Sequence, residues 1–386
     1  MCDDHGSEPL SKPSCKTIRV TESVGTVLAH DVTEIRPGEF KGRAFKKGHI
    51  IREEDVCHLQ RLGKEQLFVL QVAEDEMHEN DAAYAIAEAL MGEGVSIKGE
   101  PKEGKISIVA ERDGLLKIDT DALLSFNMLG EVMCATLHDN TVVKKGQVLA
   151  GTRAIPLVVK KTIVREAVRV AEAGRNLPLT PALSPKGEGD MPVPLPSVER
   201  TQVRGGGVIE VKQLRKSRVG VVITGNEVYH GRIKDAFAPV ITKKIEEFGG
   251  ELVGVYYAPD DTAFIVDRLR ELLHAGADLL ITTGGMSVDP DDVTRFAIRE
   301  LGATDIAYGS AALPGAMFLI AYLGEIPILG IPACGMYSKT TVFDLVLPRV
   351  LAGEKIGRKD LAELGHGGLC LQCEVCHYPV CPFGKC

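Results

Sequence analysis

Apolar positions along this chain follow two rhythms. Over residues 17–72 and again over 105–151, short runs rich in β-branched residues (TIRVTES, VGTVLAHDV, QLFVLQV, then KISIVAE, GLLKID, TVVKKGQVLAGT) alternate with turn residues, which predicts β-rich modules. Helical spacing of apolar positions interrupts them at 53–62 and 81–91. The runs FKKGHII and VKKGQVL repeat a lysine-glycine turn between apolar strands, a pattern open to remote duplication or to chance. Beyond residue 207 the rhythm becomes strand-helix alternation. Strands are predicted at 218–224, 252–257, 279–283 and 326–331, and helices at 236–248, 262–275, 291–301 and 337–351. That order predicts an open, mostly parallel three-layer α/β/α domain, with ligands bound beyond the carboxyl ends of the strands.

Between the two rhythms, residues 175–207 are dense in proline, glycine and serine without periodicity, and read as a disordered linker. The expected organisation is therefore a flexible tail (1–16), a β-rich region (17–174, as one unit or as two modules, about 17–78 and 79–174), the linker, the α/β domain (208–355) and a cysteine-rich tail (356–386). The formal net charge of -8 leaves no basic surplus to displace phosphate counterions, so nucleic acid is not an expected partner. The longest apolar runs fall short of the roughly 20 residues a spanning helix needs, so no membrane partner is expected. The polar start MCDDHGSEPLSK lacks the regions of a signal peptide, and a cytoplasmic location is the expectation.

Candidate chemistry concentrates in ADLLITTGGMSVDPDD (277–292). An apolar strand ends in Thr282 and Thr283, Gly284 and Gly285 let the backbone turn, and a helical pattern follows beside Ser287. Amides at a helix start with hydroxyls beside them bind anions. A second reading makes Asp289, Asp291 and Asp292 the grammar of a helix start, with Pro290 at the first position. The run RVGVVITGNE supplies a similar unit, a strand ending at Thr224 and Gly225 with Glu227 just beyond. Cys334, in a glycine turn at a strand end, either packs or presents a thiolate favoured by the following helix start.

The last residues carry C-x2-C-x2-C-x4-C-P, with Cys370, Cys373, Cys376 and Cys381 gathered in twelve residues. Such a cluster predicts metal binding. The close CxxCxxC run favours three corners of an iron–sulfur cluster over Zn2+, and Cys381, Cys386 and His377 all stand as fourth ligands.

The set TGNE, GRIKDAF, APDD, TTGGMSVDPDD, LPGAMF and IPACGM, in this order, resembles the molybdopterin-binding domain shared by molybdenum-cofactor biosynthesis proteins and by molybdopterin molybdenumtransferases of the MoeA type. The resemblance covers about 217–353. It implies that Thr282, Thr283, Gly284, Gly285, Met286 and Ser287 hold the terminal phosphate of a pterin, with Thr224, Gly225, Pro314, Gly315 and Pro332 lining the ligand. It further implies that Glu227, Asp235 and Asp292 act in catalysis or hold Mg2+, hard oxygen donors suiting that ion. Molybdopterin or the finished molybdenum cofactor is the implied ligand, a homodimer the implied assembly, and a molybdoenzyme or another cofactor-biosynthesis protein the implied partner.

Departures from the pattern fall where oxyanion handling is expected. The transferase S-x-G-D-E is here Ile223 to Glu227, with Asn226 in the place of the first acid; K-P-G-K-P is Leu313 to Met317 without either lysine; P-G-N-P is Pro332 to Gly335. An ammonium group is what recruits molybdate, so pterin binding is better supported than metal transfer. Three functions follow: a molybdenumtransferase-like enzyme, a non-enzymatic carrier or insertion chaperone docking through the cysteine tail, and a nucleotide pyrophosphatase of the competence-damage-inducible type.

Overall fold

The structure, a computed structural model, describes residues 15–36, 40–70, 72–173, 207–286 and 293–385. Its α/β part is built from β1 (Arg218–Thr224), α1 (Asn226–Tyr229), α2 (Phe237–Glu247), β2 (Glu251–Ala258), α3 (Thr262–His274), β3 (Leu279–Thr283), α4 (Thr294–Glu300), β4 (Thr304–Tyr308), β5 (Leu319–Leu323), β6 (Ile326–Ile331), α5 (Val342–Leu351) and α6 (Arg358–Glu363). The six strands lie in the order β2-β1-β3-β6-β5-β4. The first four are mutually parallel, and β5 and β4 continue the sheet antiparallel. The expected α/β class is therefore present, with an antiparallel edge.

Alternation along each strand sorts the two cores. Val219, Val221, Ile223, Leu279 and Ile281 face α2 and α5, where they meet Phe237, Ile241, Ile245, Val346 and Leu347. Val222, Leu280 and Ile328 face the other way, against Ile265, Leu269 and Leu272 of α3 and Ile298 of α4. Gly220 sits where α3 comes closest: an added Cβ would lie 2.8 Å from the Leu272 Cβ.

The four predicted strands are present at or near their expected bounds. β4 and β5 carry no prediction from the sequence. β4 is only five residues, two of them charged or polar and exposed at its start, and its pairing slips around Asp305, whose φ is 50°. The helix expected from 337 begins at Val342 instead, because Thr341 and Asp344 form a capping box: the Phe343 N–H donates to Thr341 Oγ1 at 3.2 Å and the Thr341 N–H to Asp344 Oδ2 at 2.7 Å. The helix expected from 291 is described from Thr294.

Upstream, Cys15–Arg19, Gln66–Leu70 and Val27–Leu28 form a three-stranded sheet, closed over Leu28, Val32, Phe45, Ile51, Leu59 and Leu67. A second core gathers the helices Glu79–Leu90 and Lys161–Ala173 and the sheet Val132–Thr136, Val148–Ala154, Lys105–Ala110 and Val95–Lys102. The strand Ile209–Lys212 pairs with Gly114–Ile118, so the chain returns to this second core before entering β1. The expected segments 1–16 and 175–207 lie almost wholly outside the described residues. Both lysine-glycine turns have the same build: His49 and Gln147 N–H groups close the turns onto Lys46 and Lys144 carbonyls, and Asp31 and Asp113 accept the Lys47 and Lys145 amides.

Half-buried charge fastens the second core to the α/β part. Lys117 Nζ lies 2.8 Å from Glu354 Oε1, and Arg349 pairs with Glu354 at 2.8 Å and Asp360 at 2.7 Å. Burial pushes Glu354 up, but Lys117 and Arg349 outweigh it and leave the carboxyl below its ordinary value. Among the described residues no helix is long and apolar enough to cross a membrane.

Candidate ligand site

Strand register places the candidate residues on one edge of the sheet. Ala258 pairs with Thr224, Ile223 with Thr283, Thr283 with Ile331 and Gly330 with Leu319, so the turns after β2, β1, β3 and β6, together with the loop that enters β5, open on the same side. Those turns carry Asp260, Gly225 to Glu227, Gly284 to Met286, Pro332 to Gly335 and Leu313 to Met317. The edge is the one where parallel sheets bind ligands.

The turns after β1 and β3 are locked to each other. Thr224 Oγ1 donates to the Thr283 carbonyl at 2.9 Å and shares a 3.0 Å contact with Thr294 Oγ1 at the start of α4. Gly284, at φ 80°, lies so close to Thr224 that a Cβ would collide with its carbonyl oxygen, and a Cβ on Gly285, at φ 53°, would sit 2.5 Å from Thr294 Oγ1. The hydroxyls of Thr282 and Thr283 are buried and have no hydrogen-bond partner among the described residues. An orphaned hydroxyl of this kind costs about 1–3 kcal/mol, which a polar ligand or water meeting it would offset.

Met286, 3% exposed, packs on Gly330 of β6, and the Tyr308 hydroxyl donates to its carbonyl at 2.7 Å. Tyr308 and its neighbour Arg295, whose guanidinium lies 4.6 Å from the Tyr308 ring centroid, belong to the site although no motif points to them. The unpredicted strand β4 delivers Tyr308; its only signal is the alternation of TDIAY. Asn226 and Asp260 clasp the first two turns, each backbone N–H donating to the other's side chain at 3.1 and 3.4 Å.

The acids divide. Asp235 accepts the Phe237 and Ala238 amides at 2.8 and 3.0 Å, capping α2, and also the Tyr257 hydroxyl at 3.2 Å. Burial and then this carboxylate raise the Tyr257 phenol above its usual value. Beside this pair runs an open cleft of about 550 Å³ lined by Lys234, Lys243 and Glu246. Glu227, exposed on α1, has no side-chain partner among the described residues. Ser287 and Asp292 lie outside the described residues.

On the far side of the edge, Gly315 packs on Val342 and the Pro314 carbonyl accepts the Val342 N–H at 3.1 Å. Leu313, 54% exposed, and the exposed Ala316 stand where the family pattern has lysines, and Met317, 40% exposed, follows them. Pro332 opens the short 3-10 turn Ala333–Met336. Burial raises the Cys334 thiol above its ordinary value, which corrects the thiolate reading: the turn's own amides lower the pKa, but by less than burial lifts it.

The cysteine tail runs alongside these loops. Thr340 Oγ1 lies 3.3 Å from Cys376 Sγ, and this contact, a Tyr378 amide and Lys339 hold the Cys376 thiol below its ordinary value. No three histidine, cysteine or acidic side chains converge as a metal-binding group among the described residues, the four tail cysteines included. Cys386 lies outside them.

Residues 220–352 match the family model of a probable molybdopterin binding domain, and residues 17–71 match a model described as a domain of unknown function. A CinA-like protein of Mycobacterium sp. (strain MCS) is 40% identical over 90 residues, 22% of this chain and 21% of that protein. A CinA-like protein of Mycobacterium tuberculosis (strain ATCC 25177 / H37Ra) is 38% identical over 94 residues, 23% of this chain and 22% of that one. The chain thus matches about a fifth of the length of these curated relatives. Among solved structures, the molybdopterin biosynthesis enzyme MoaB of Thermus thermophilus aligns with 24% identity and a TM-score of 0.30 over 36% of this chain and 98% of its own. The molybdopterin biosynthesis MoeA protein of Pyrococcus horikosii aligns with 16% identity and a TM-score of 0.29 over 88% of this chain and 75% of its own.

Proposed function

We propose, from the membership of residues 220–352 in the molybdopterin-binding domain family, that this protein holds a pterin phosphate at the described sheet edge and serves molybdenum cofactor biosynthesis. The observation that carries the reading is the pair of interlocked glycine turns with the orphaned Thr282 and Thr283 hydroxyls beneath them. In this reading the amides of Gly284 to Met286 and the hydroxyls of Thr283 and Ser287 take the phosphate, Gly225 lets the chain approach the ligand, and Pro314, Gly315 and Pro332 shape the far wall. Glu227 is the described acid left free to accept a divalent cation such as Mg2+, with Asp292 as its expected companion, while Asp235 positions α2 and Tyr257. The protein acts in the cytoplasm as a homodimer in this reading, receiving the ligand from or passing it to another cofactor-biosynthesis protein or a molybdoenzyme.

Holding and delivery fit the edge better than molybdenum transfer. The loop 313–317 presents leucine and methionine to solvent, and an oxyanion gains nothing from either. The test is anaerobic purification of the full chain, oxidation, and identification of a released fluorescent pterin, followed by titration with molybdopterin. Saturable binding, with no molybdate-dependent conversion of adenylated pterin, is expected; conversion lost in Glu227→Gln would make the protein a transferase. Absence of both copurifying pterin and saturable binding sinks the proposal. The identity to CinA-like proteins favours one second reading, a nucleotide pyrophosphatase, which requires nucleotide turnover with no pterin present.

A further inference from the structure

The segment after α6 has almost no regular structure, yet its two ends are closely fitted. Gly367, at φ 77°, lies so near Lys385 that a Cβ would stand 2.8 Å from the Lys385 carbonyl oxygen, and a Cβ on Gly368 would meet the Leu364 and Ala311 carbonyls. The Gly384 N–H donates to the Gly367 carbonyl at 3.0 Å, and Phe383 is 3% exposed in the α/β core. Residues 367–385 are therefore a loop closed at its neck.

Contacts leave that neck in two directions. Toward the ligand edge, the Leu313 N–H donates to the Gly368 carbonyl at 2.7 Å and the Cys370 N–H to the Leu313 carbonyl at 2.8 Å, a parallel bridge between Leu313 and Leu369. Leu313 opens the turn that carries Pro314 and Gly315, so the segment holds one wall of the candidate site by its backbone. Toward the second core, Lys385 Nζ donates to Thr141 Oγ1 at 2.7 Å. Thr141 is 8% exposed, and its hydroxyl proton goes to the His138 carbonyl at 2.7 Å, which leaves the oxygen to accept from the ammonium. Lys385 is half-buried, and burial lowers its ammonium below the ordinary lysine value although Cys381 and Asp139 oppose the shift. A loose segment would leave that ammonium in water. Asn140, next to Thr141, accepts from Lys117 Nζ at 2.6 Å, and Lys117 reaches Glu354, so one loop of the second core receives both the segment and the ion pairs that follow α5.

We propose that residues 367–385 are a strap that positions the ligand-edge loop 311–317 and ties it to the second core through Lys385. The contacts form an unbroken chain: Thr141 holds Lys385, the backbone of Gly384 and Lys385 closes on Gly367, and Gly368 holds Leu313. The strap is braced midway on α5 and the turn before it, where the Tyr378 hydroxyl donates to the Asp344 carbonyl at 3.1 Å and Lys339 Nζ to the Glu374 carbonyl at 2.8 Å. A shift of the second core thus moves one wall of the site, and a ligand that displaces the wall is felt at Thr141. Lys385 is a positioning residue, and its role stands apart from the pterin reading.

The test is hydrogen exchange of the full chain, followed by mass spectrometry of its peptides with no ligand added. Lys385→Met and Thr141→Val should each speed exchange in 311–317 and 367–370 about tenfold, the change expected when one hydrogen bond to a charged group is lost. The double variant should add nothing to either single one, and Thr141→Ser, which keeps the hydroxyl, should exchange like the wild type. Exchange in Leu279–Thr283 should stay the same throughout, which separates a released strap from general loosening. Unchanged exchange in 311–317 in the two single variants, additive effects in the double variant, or equal speeding in Leu279–Thr283 would each overturn the proposal.

Discussion

At the glycine turns the backbone carries the specification: Gly284 and Gly285 have left-handed φ values, and each faces an atom of Thr224 or Thr294 that leaves no room for a side chain. In the loop from Gly367 to Gly384 the backbone is pinned at the neck, and the chemistry is left to side chains in the open. The two regions stand beside the same sheet edge. The first is fixed by close backbone packing; the second is fixed at its neck and leaves its cysteines free.

The largest test of that contrast is a single methyl group. Gly284→Ala forces a Cβ into the Thr224 carbonyl at φ 80°, and about 3 kcal/mol or more should be lost, read as a lower denaturation midpoint at unchanged slope. Gly384→Ala has φ 71° but meets only the flexible Leu345 side chain, so about 1–2 kcal/mol is expected. Equal losses would mean that the tail is as rigidly specified as the turns.

A second contrast sets the two ends of α5 apart. Its start is capped by Thr341 and Asp344, while the chain just beyond its end is held by the half-buried Lys117, Glu354, Arg349 and Asp360. Lys117→Met leaves a half-buried carboxylate with one partner fewer and should cost about 2–3 kcal/mol in global stability. The carboxyls of Glu354 and Asp360 are held below their ordinary values, so their stabilisation is present above the usual carboxylate range and lost as pH falls through the folded-state pKa. In an acid titration, wild-type stability should fall across that window more steeply than that of Lys117→Met; parallel curves would remove Lys117 from the network.

Smaller still is the effect of the orphaned hydroxyl. Thr283→Val removes a buried polar atom that has no partner, so the free protein should be unchanged or more stable by on the order of 1 kcal/mol. Pterin affinity should nevertheless drop. A clear loss of stability instead would show that Thr283 already has a structural partner, and the turn would no longer stand as a vacant polar site.

How much of this was legible in the sequence follows the same divide. Leu279–Thr283 reads as a buried strand because the run is short and apolar up to Ile281, the glycines after it mark the turn, and all five residues are buried. Tyr308 was invisible because the strand carrying it is short, polar at its start and irregular at Asp305. The row of five turns along one edge was also hidden, since it depends on which strands are neighbours rather than on any local spacing. Asp235 reads equally as a cap or a site acid; only the Phe237 and Ala238 amides show that its carboxylate is already engaged. In the tail, the cysteine spacing reads as one metal-binding run, and among the described residues its side chains do not converge as a metal-binding group.

The smallest expected effect touches chemistry and leaves stability unchanged. Cys334 follows Pro332 in a four-residue 3-10 turn, too short to lend the field that a longer helix start provides, and it is half-buried, with its neighbour Gly335 packed against Ile331. Burial raises its pKa, so it stays a thiol at neutral pH and should react slowly with an alkylating reagent. Cys134, pushed up to about 12 by burial, should not react until the protein unfolds, and of Cys373, Cys334 and Cys134 the exposed Cys373 should react first. Mass spectrometry of labelled peptides against time should therefore give the order Cys373, Cys334, Cys134. Labelling of Cys334 as fast as Cys373 would mean that the Pro332 turn opens, and the contrast between a closely packed edge and a tail with exposed cysteines would fail at the turn where the two regions meet.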